Sequence, residues 1–561
     1  MKHEPSRRAV VACLTLGLVP FRALAQIAQL CPNDPILTSG KTPLTIDTHA
    51  HFFNGRDLQI KEFLSKTTVR KGSELYPLVN AMGSIMQALG WHAAPDATSE
   101  LDAIASYAKL IKGCDGEGQI REATRPSFRE GYLKGRRELQ DASKRIAIAA
   151  GAAVLGPDTG ATPLKAAIED LPETFDEFEV RRSSGATVLG SNPTFLGYLQ
   201  FVLHHFNYRH INAIDYLTTY SKDSARKIDL VVPSMVDYDW WLAGGRATPT
   251  TLSEQVAVMA RISVLLGGRV HGFVPFCPYR EAKTGVSDAD GDSLRLVKSA
   301  IEKHGFIGVK LYPPMGFAPW GNTGQDVWRK VGHPAGAEAD FGKRLDAAMK
   351  KLFDYCLKQG VPIMAHTNHS NGAYKEFEDL AGSQYWSLAL KQFPGLKVSF
   401  GHFGDTDLEL HDDDQASETR KFLKLMTQAA GSNGANAFAD SGFFAGALID
   451  QTSMTATLRS LYAASENSVL RERLMYGTDW SMILPQRHVE RYLSDFIDVI
   501  SKVEKTQPGT VRGTSLADAF FGQNASEYLG LKLGQPNRKR LENFYAVNKV
   551  AKPDWMRKVD A

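Results

Sequence analysis

This 561-residue sequence predicts an α/β fold, a (β/α)8 or TIM barrel with a large, mostly helical insertion after strand 1. Three features point there. Short β-branched or apolar runs, bounded by polar, Gly or Pro residues, recur along the chain. Helical segments separate many of them, as in parallel strands joined by crossover helices. The first connection is roughly 180 residues long, far beyond an ordinary loop, so something is inserted there.

The composition fits such a fold and excludes several others. With 43% hydrophobic, 23% charged and 10% aromatic residues, the chain is neither disordered nor fibrous. Lys plus Arg number 65 and Asp plus Glu 62, a formal charge of only +3, which argues against nucleic acid as a partner. The longest apolar stretches, 9–21 and 146–156, fall short of the roughly 20 residues that span a bilayer, so the mature chain is expected to have no integral membrane segment.

In chain order, residues 1–25 read as an export signal. A basic start (Lys2, Arg7, Arg8) precedes an apolar run, and Ala23-Leu24-Ala25 forms an A-x-A cleavage site before Gln26. Ser6-Arg7-Arg8-Ala9-Val10-Val11 resembles the twin-arginine signal that exports folded proteins, with an ordinary secretory signal as the alternative. Either places the mature protein in the periplasm or beyond. Cys31, Cys114, Cys277 and Cys356 remain after cleavage with no C-x-x-C spacing. A Cys31–Cys114 disulfide and buried free thiols both stay open.

Residues 26–53 start the barrel, with strand 1 expected at 44–48. Residues 54–227 read as a helical cap with runs at 78–89, 100–112, 129–153 and 194–219 and a Gly/Ser/Pro-rich loop at 151–193. Loops after barrel strands lie on the catalytic face, so the insertion covers a substrate or serves dimerisation or stability. The rest of the barrel occupies 228–535, with strands expected at 228–233, 270–276, 307–312, 362–366, 397–401, 435–440 and 473–477. Helices are expected at 252–266, 294–303, 341–359 and 488–503. Residues 536–561, rich in Lys and Arg, read as a solvated basic tail.

The chemistry lies at the strand ends. His49 and His51, two positions apart on a strand, aim at one face and can grip one metal. His366 ends the fifth strand, His402 the sixth and Asp479 the eighth, and barrel strands converge at their C-terminal ends. Three or more imidazoles with one carboxylate form a catalytic zinc-type set that leaves a position for water. Tyr312, Asn368, His369, Trp480, Asn54, Asp237, Asp239, Trp240 and Trp241 flank these positions and either line the pocket or pack the barrel mouth. His204, His205 and His210 read as surface or packed imidazoles, and residues 412–414 as a solvated acidic loop.

The pattern resembles the amidohydrolase superfamily, in particular the amidohydrolase-related group that also holds the aminocarboxymuconate semialdehyde decarboxylase-like enzymes. The resemblance covers strand 1 and about 228–535. It rests on Asp47-Thr48-His49-Ala50-His51, Gly308-Val309-Lys310-Leu311, His366, His402, Gly477-Thr478-Asp479-Trp480 and a closing segment, Phe520-Phe521-Gly522-Gln523-Asn524-Ala525. It implies that His49, His51, His366 and Asp479 bind one divalent metal ion, zinc by default with manganese or iron as alternatives. Asp479 would also carry the proton, and His402 would stabilise developing negative charge. Lys310 contacts the substrate or a carboxylate. In the binuclear alternative a carboxylated Lys310 bridges two metals, with His402 as a further ligand. The insertion has no counterpart in the usual short members.

The expected activity is that of an exported metal-dependent hydrolase acting on an amide, ester or lactone of small size through a metal-activated water. The alternative is a metal-dependent, non-oxidative decarboxylase, a lyase of aromatic or unsaturated carboxylic acids. A barrel kept only for binding is disfavoured, because all four ligand positions are intact. A homo-oligomer stays open.

Overall fold

The computed structural model describes residues 38–68, 94–110, 204–221 and 225–561, with breaks at 286–288, 405–416, 431–435, 466–468, 485, 487, 508 and 511–512. Scattered positions at 80–92 and 129–177 are described as well. The expected export signal, Cys31, Cys114, the 151–193 loop apart from three positions, and residues 412–414 lie outside the described residues.

Eight short parallel strands form in sequence order: β1 (Ile46–Ala50), β2 (Leu230–Pro233), β3 (Phe273–Pro275), β4 (Gly308–Leu311), β5 (Ile363–His366), β6 (Lys397–Gly401), β7 (Asn436–Asp440) and β8 (Leu474–Met475). β1 pairs with β2, and β3 to β8 form one sheet in consecutive order. Between β2 and β3, and between β8 and β1, the ladder is broken and only isolated parallel bridges span the gap: Val231 with Val270, Ser234 with Phe273, and Ala50 with Trp480. The strand order is that of an eight-stranded barrel.

These strands run as near-continuous apolar segments because both of their faces are covered. Almost every strand residue is buried. The outer layer comes from crossover helices, and two of the described insertion helices precede them. These are α1 (Ala97–Leu110) and α2 (Arg209–Thr219); the crossovers follow as α3 (Leu252–Leu265), α4 (Asp292–Lys303), α5 (Phe341–Gln359), α6 (Ser383–Gln392), α7 (Glu418–Ala430) and α8 (Gln451–Ala464). After β8 comes α9 (Tyr492–Thr506). Local chemistry sets their ends. Thr251 and Glu254 form a reciprocal capping box that starts α3, and Gly360 takes the left-handed conformation that stops α5.

α1 and α2 both pack against α3, so the described part of the insertion sits against the first barrel crossover. A buried charge cluster joins them. Arg209 at the start of α2 donates from Nε and Nη2 to Glu100 on α1 at 3.0 and 2.5 Å, and its Nη1 lies 3.2 Å from Asp57 just beyond β1. All three side chains are almost fully buried.

The basic C-terminus is not a solvated tail. It folds into α10 (Pro536–Asn548) and α11 (Asp554–Asp560), which bury Leu541, Tyr545, Trp555 and Met556. The apolar residues recur at helical spacing between the charges, and Arg538 pairs with Asp560 at 2.9 Å while Lys558 reaches buried Asp229 at 2.8 Å. Much of the positive charge thus serves internal pairing. Cys277 and Cys356 are free and buried.

Candidate metal centre

The ends of β1, β5, β6 and β7 and the turn after β8 bring five of the predicted residues to one buried spot. In each imidazole one nitrogen is already occupied. Asp440, the last residue of β7, accepts the Nδ1–H of His49 at 2.8 Å, and the carbonyl of Ser234 accepts that of His51 at 2.8 Å. His402 donates its Nδ1–H to the Gly442 carbonyl at 2.9 Å. Its Nε2 is then free to accept the Nδ1–H of His366 at 3.1 Å. These tautomers follow from acceptor-only partners. Each of His49, His51 and His366 is left with an Nε2 lone pair and no proton on it, the arrangement that orienting groups around metal-binding histidines produce.

The carboxylate completes the group. Asp479 Oδ1 lies 3.5 Å from His49 Nε2 and 3.3 Å from His51 Nε2. One ligand atom from each of His49, His51 and Asp479 falls within 4.8 Å of the others. His366 stands just outside that group, its ring centre 4.6 Å from that of His402, which is itself 4.6 Å from His49. His49 Nε2, His366 Nε2 and Asp479 Oδ1 are buried and have no hydrogen-bond partner among the described residues. Uncompensated burial of such atoms is costly, and a divalent cation between His49, His51 and Asp479 would satisfy His49 Nε2 and Asp479 Oδ1, so that group fits a metal ion, which His366 would join after a shift of its ring.

Burial is the largest influence on these groups. It pushes His49, His366 and His402 below the ordinary imidazole value, aided by Lys310 for all three and by His402 for His49 and His366. The rings are therefore neutral, as metal ligation requires. Burial alone would raise the Asp479 carboxyl, but a proton held on the neighbouring imidazoles His49, His51 and His402 favours its ionised form, and the net direction is below the usual carboxylate range.

The backbone is shaped around His49. A Cβ on Gly442 would come within 2.4 Å of its Nδ1, and one on Gly477 within 2.8 Å of its Cβ, so neither position admits a side chain. β1 carries a register irregularity between Asp47 and Ala50, at the strand end that presents His49. His402 (φ 63°) and Asp479 (φ 56°) both adopt left-handed backbone, a cost that concentrates at functional sites.

Lys310, on β4, is buried close by. Its Nζ lies 2.7 Å from Met364 Sδ and 5.8 Å from the centre of the Tyr312 ring, and among the described residues it has no carboxylate within 4 Å. Burial pushes the ammonium down to about 8, against the attraction of Asp440 and Asp479. Tyr312 stacks on His366 with ring centres 4.2 Å apart. Other flanking residues are committed elsewhere. Asn54 caps a short helical turn and donates to the Pro95 carbonyl, Asp237 and Asp239 both bind Arg280, and His369 is part-exposed between Asp379 and Glu418. His205 and His210 are packed, and burial pushes His210 down to about 3. The role of Asp440 was legible in principle, since a carboxylate at a predicted strand end is the same signal that marked Asp479.

An α/β barrel whose strand ends gather imidazoles and a carboxylate around atoms fit for a metal defines a metal-dependent barrel enzyme. Residues 282–531 match the model of the Amidohydrolase family. The match covers under half of the chain and begins after His49 and His51. No curated protein matches the sequence. Similar solved structures include a probable 2-pyrone-4,6-dicarboxylic acid hydrolase from Acinetobacter baumannii with citric acid bound, at 15% identity over 54% of this chain and 84% of that one, TM-score 0.30. The 5-carboxyvanillate decarboxylase of Sphingomonas paucimobilis is 13% identical over 54% and 78%, TM-score 0.31. An amidohydrolase from Burkholderia multivorans with bound zinc is 12% identical over 56% and 87%, TM-score 0.32.

Proposed function

We propose that this protein is a hydrolase of a small amide, ester or lactone that works with one divalent ion, zinc in the first place, held by His49, His51, His366 and Asp479. The observation that carries this reading is the set of buried, partnerless atoms, His49 Nε2, His366 Nε2 and Asp479 Oδ1, beside imidazoles locked in the ligating tautomer. A divalent ion supplies Lewis-acid charge there and makes water a nucleophile at neutral pH. Asp479, ionised and acceptor-only, takes the proton of the attacking water and returns it to the leaving group. His402 spends both ring nitrogens on Gly442 and His366, so its first task is to hold His366. It meets substrate charge only after a shift of that hydrogen bond. Tyr312 fixes the His366 ring from the other side.

A second reading keeps the same residues and breaks a carbon–carboxylate bond instead. Lys310 favours it, because a buried ammonium with no carboxylate within 4 Å among the described residues fits an anionic substrate.

Elemental analysis of protein purified without chelators tests the centre. About one ion per chain is expected, lost in the His49→Ala, His51→Ala double variant; no ion after reconstitution with zinc, manganese or iron(II) would remove the proposed chemistry. Loaded protein is then assayed on esters, lactones, amides and aromatic acids with CO2 measured in parallel. Product without CO2 supports hydrolysis, and stoichiometric CO2 replaces it with the lyase reading. Export is proposed from residues 1–25: replacing Arg7 and Arg8 together by Lys is expected to keep the precursor in the cytoplasm, and normal export would point to the general secretory route.

A further inference from the structure

The proposed ligands come from segments far apart in the chain, and one buried carboxylate ties two of these segments together. Asp47, on β1, does not face the metal group. Its Oδ1 accepts from the backbone N–H of His49 at 3.0 Å and of Thr478 at 3.1 Å, and its Oδ2 accepts from Thr478 Oγ1 at 2.6 Å and Tyr216 Oη at 2.5 Å. Asp47 thereby bonds both the strand that carries His49 and His51 and the turn that carries Asp479. Backbone bonds follow the same seam: Asp479 N–H donates to the His49 carbonyl at 2.7 Å and His51 N–H to the Trp480 carbonyl at 2.8 Å.

Three of the four donors to Asp47 belong to the barrel. The fourth, Tyr216, belongs to α2 of the insertion. It is fully buried, and its ring packs edge-on against Trp480 at 5.3 Å and Phe52 at 5.7 Å, the neighbours in sequence of Asp479 and His51. α2 is in turn held by the Arg209 cluster at one end and by Tyr220 Oη, which donates to the Val489 carbonyl at 2.9 Å, at the other. A surface elaboration needs none of these contacts.

We propose that α2 of the insertion is a built-in part of the metal centre, with Tyr216 as a positioning residue that sets the separation of His49 and His51 from Asp479 through Asp47 and Thr478. The inference rests on the metal reading above. Without the Tyr216 hydroxyl, Asp47 keeps only its barrel donors and can rotate, and the β8 turn that carries Asp479 loses its lateral stop.

The test uses the full chain, wild type against Tyr216→Phe, with Tyr545→Phe as a comparison that removes a buried hydroxyl from α10, where it bonds His271 and the Gly268 carbonyl and no part of the metal group. Cobalt(II) is the probe. Its affinity is measured by chelator competition and its geometry by visible absorption, and each metal-free protein is melted. Tyr216→Phe is expected to bind cobalt about 10-fold more weakly, as for loss of an orienting group behind the ligands, with a changed absorption band. Tyr545→Phe is expected to keep wild-type affinity and spectrum at a comparable melting temperature. Wild-type affinity and spectrum in Tyr216→Phe, or an equal loss in Tyr545→Phe, would overturn the positioning role. A wild-type protein that takes up no cobalt would instead overturn the metal reading, and the inference with it.

Discussion

Replacing Asp479 by Asn is expected to lower kcat by about 100- to 10,000-fold while metal content stays near that of the wild type. The magnitude follows from the role: a positioned proton carrier contributes about 100- to 10,000-fold, and an amide can neither accept the proton of attacking water nor return it. Retention of metal follows from the three imidazoles, whose Nδ1 partners Asp440, Ser234 and His402 are untouched by the change. Asn also tolerates the left-handed backbone at this position, so the turn after β8 survives. Steady-state rates on the substrate found in the screen, with metal per chain measured on the same preparation, decide it. Unchanged turnover removes Asp479 from the proton path, and lost metal makes it a ligand before anything else.

Arg209→Met is expected to destabilise the protein by about 3 to 5 kcal/mol, because removing one partner leaves buried charge uncompensated. Glu100 and Asp57 would be left facing each other with almost no access to water. Burial already pushes the Asp57 carboxyl up to about 7, with Arg209 pulling it down and Glu100 pushing it further up. A folded-state value raised above the unfolded one confers stability at low pH and loses it as pH rises through the folded value. The deficit relative to wild type should therefore be larger at about pH 8 than at about pH 5. Urea denaturation midpoints at the two pH values check this, and Arg209→Met combined with Glu100→Gln should recover part of the loss. A variant within about 0.5 kcal/mol of wild type would mean that water reaches the cluster and that it does not clamp α1 and α2 to the rim of β1.

Strand runs and strand ends are local properties, set by side-chain type over a handful of residues, and they were legible. β5, β6 and β7 lie within a residue of the expected positions, and the five residues proposed for chemistry sit where barrel convergence puts them. Helix α5 begins and ends where its apolar spacing and Gly360 say it should. In the C-terminus the density of charge masks the helical spacing of the apolar residues. Tyr545, Trp555 and Met556 recur as a buried stripe, and Arg538 and Lys558 are pairing groups.

By itself, then, the sequence determined an eight-stranded α/β barrel with His49, His51, His366, His402 and Asp479 at its C-terminal mouth, since periodicity and strand termini need no partner to be read. Only the tertiary structure decided which nitrogen of each imidazole is free, what holds Asp479 ionised, and that Tyr216 of the insertion reaches Asp47. Each of those depends on a group 36 to 431 residues away in the chain, Asp440 for His49, Gly442 for His402 and Thr478 for Asp47 among them. Hydrogen-bond direction and desolvation are set by such neighbours in space, and no spacing along the chain encodes them.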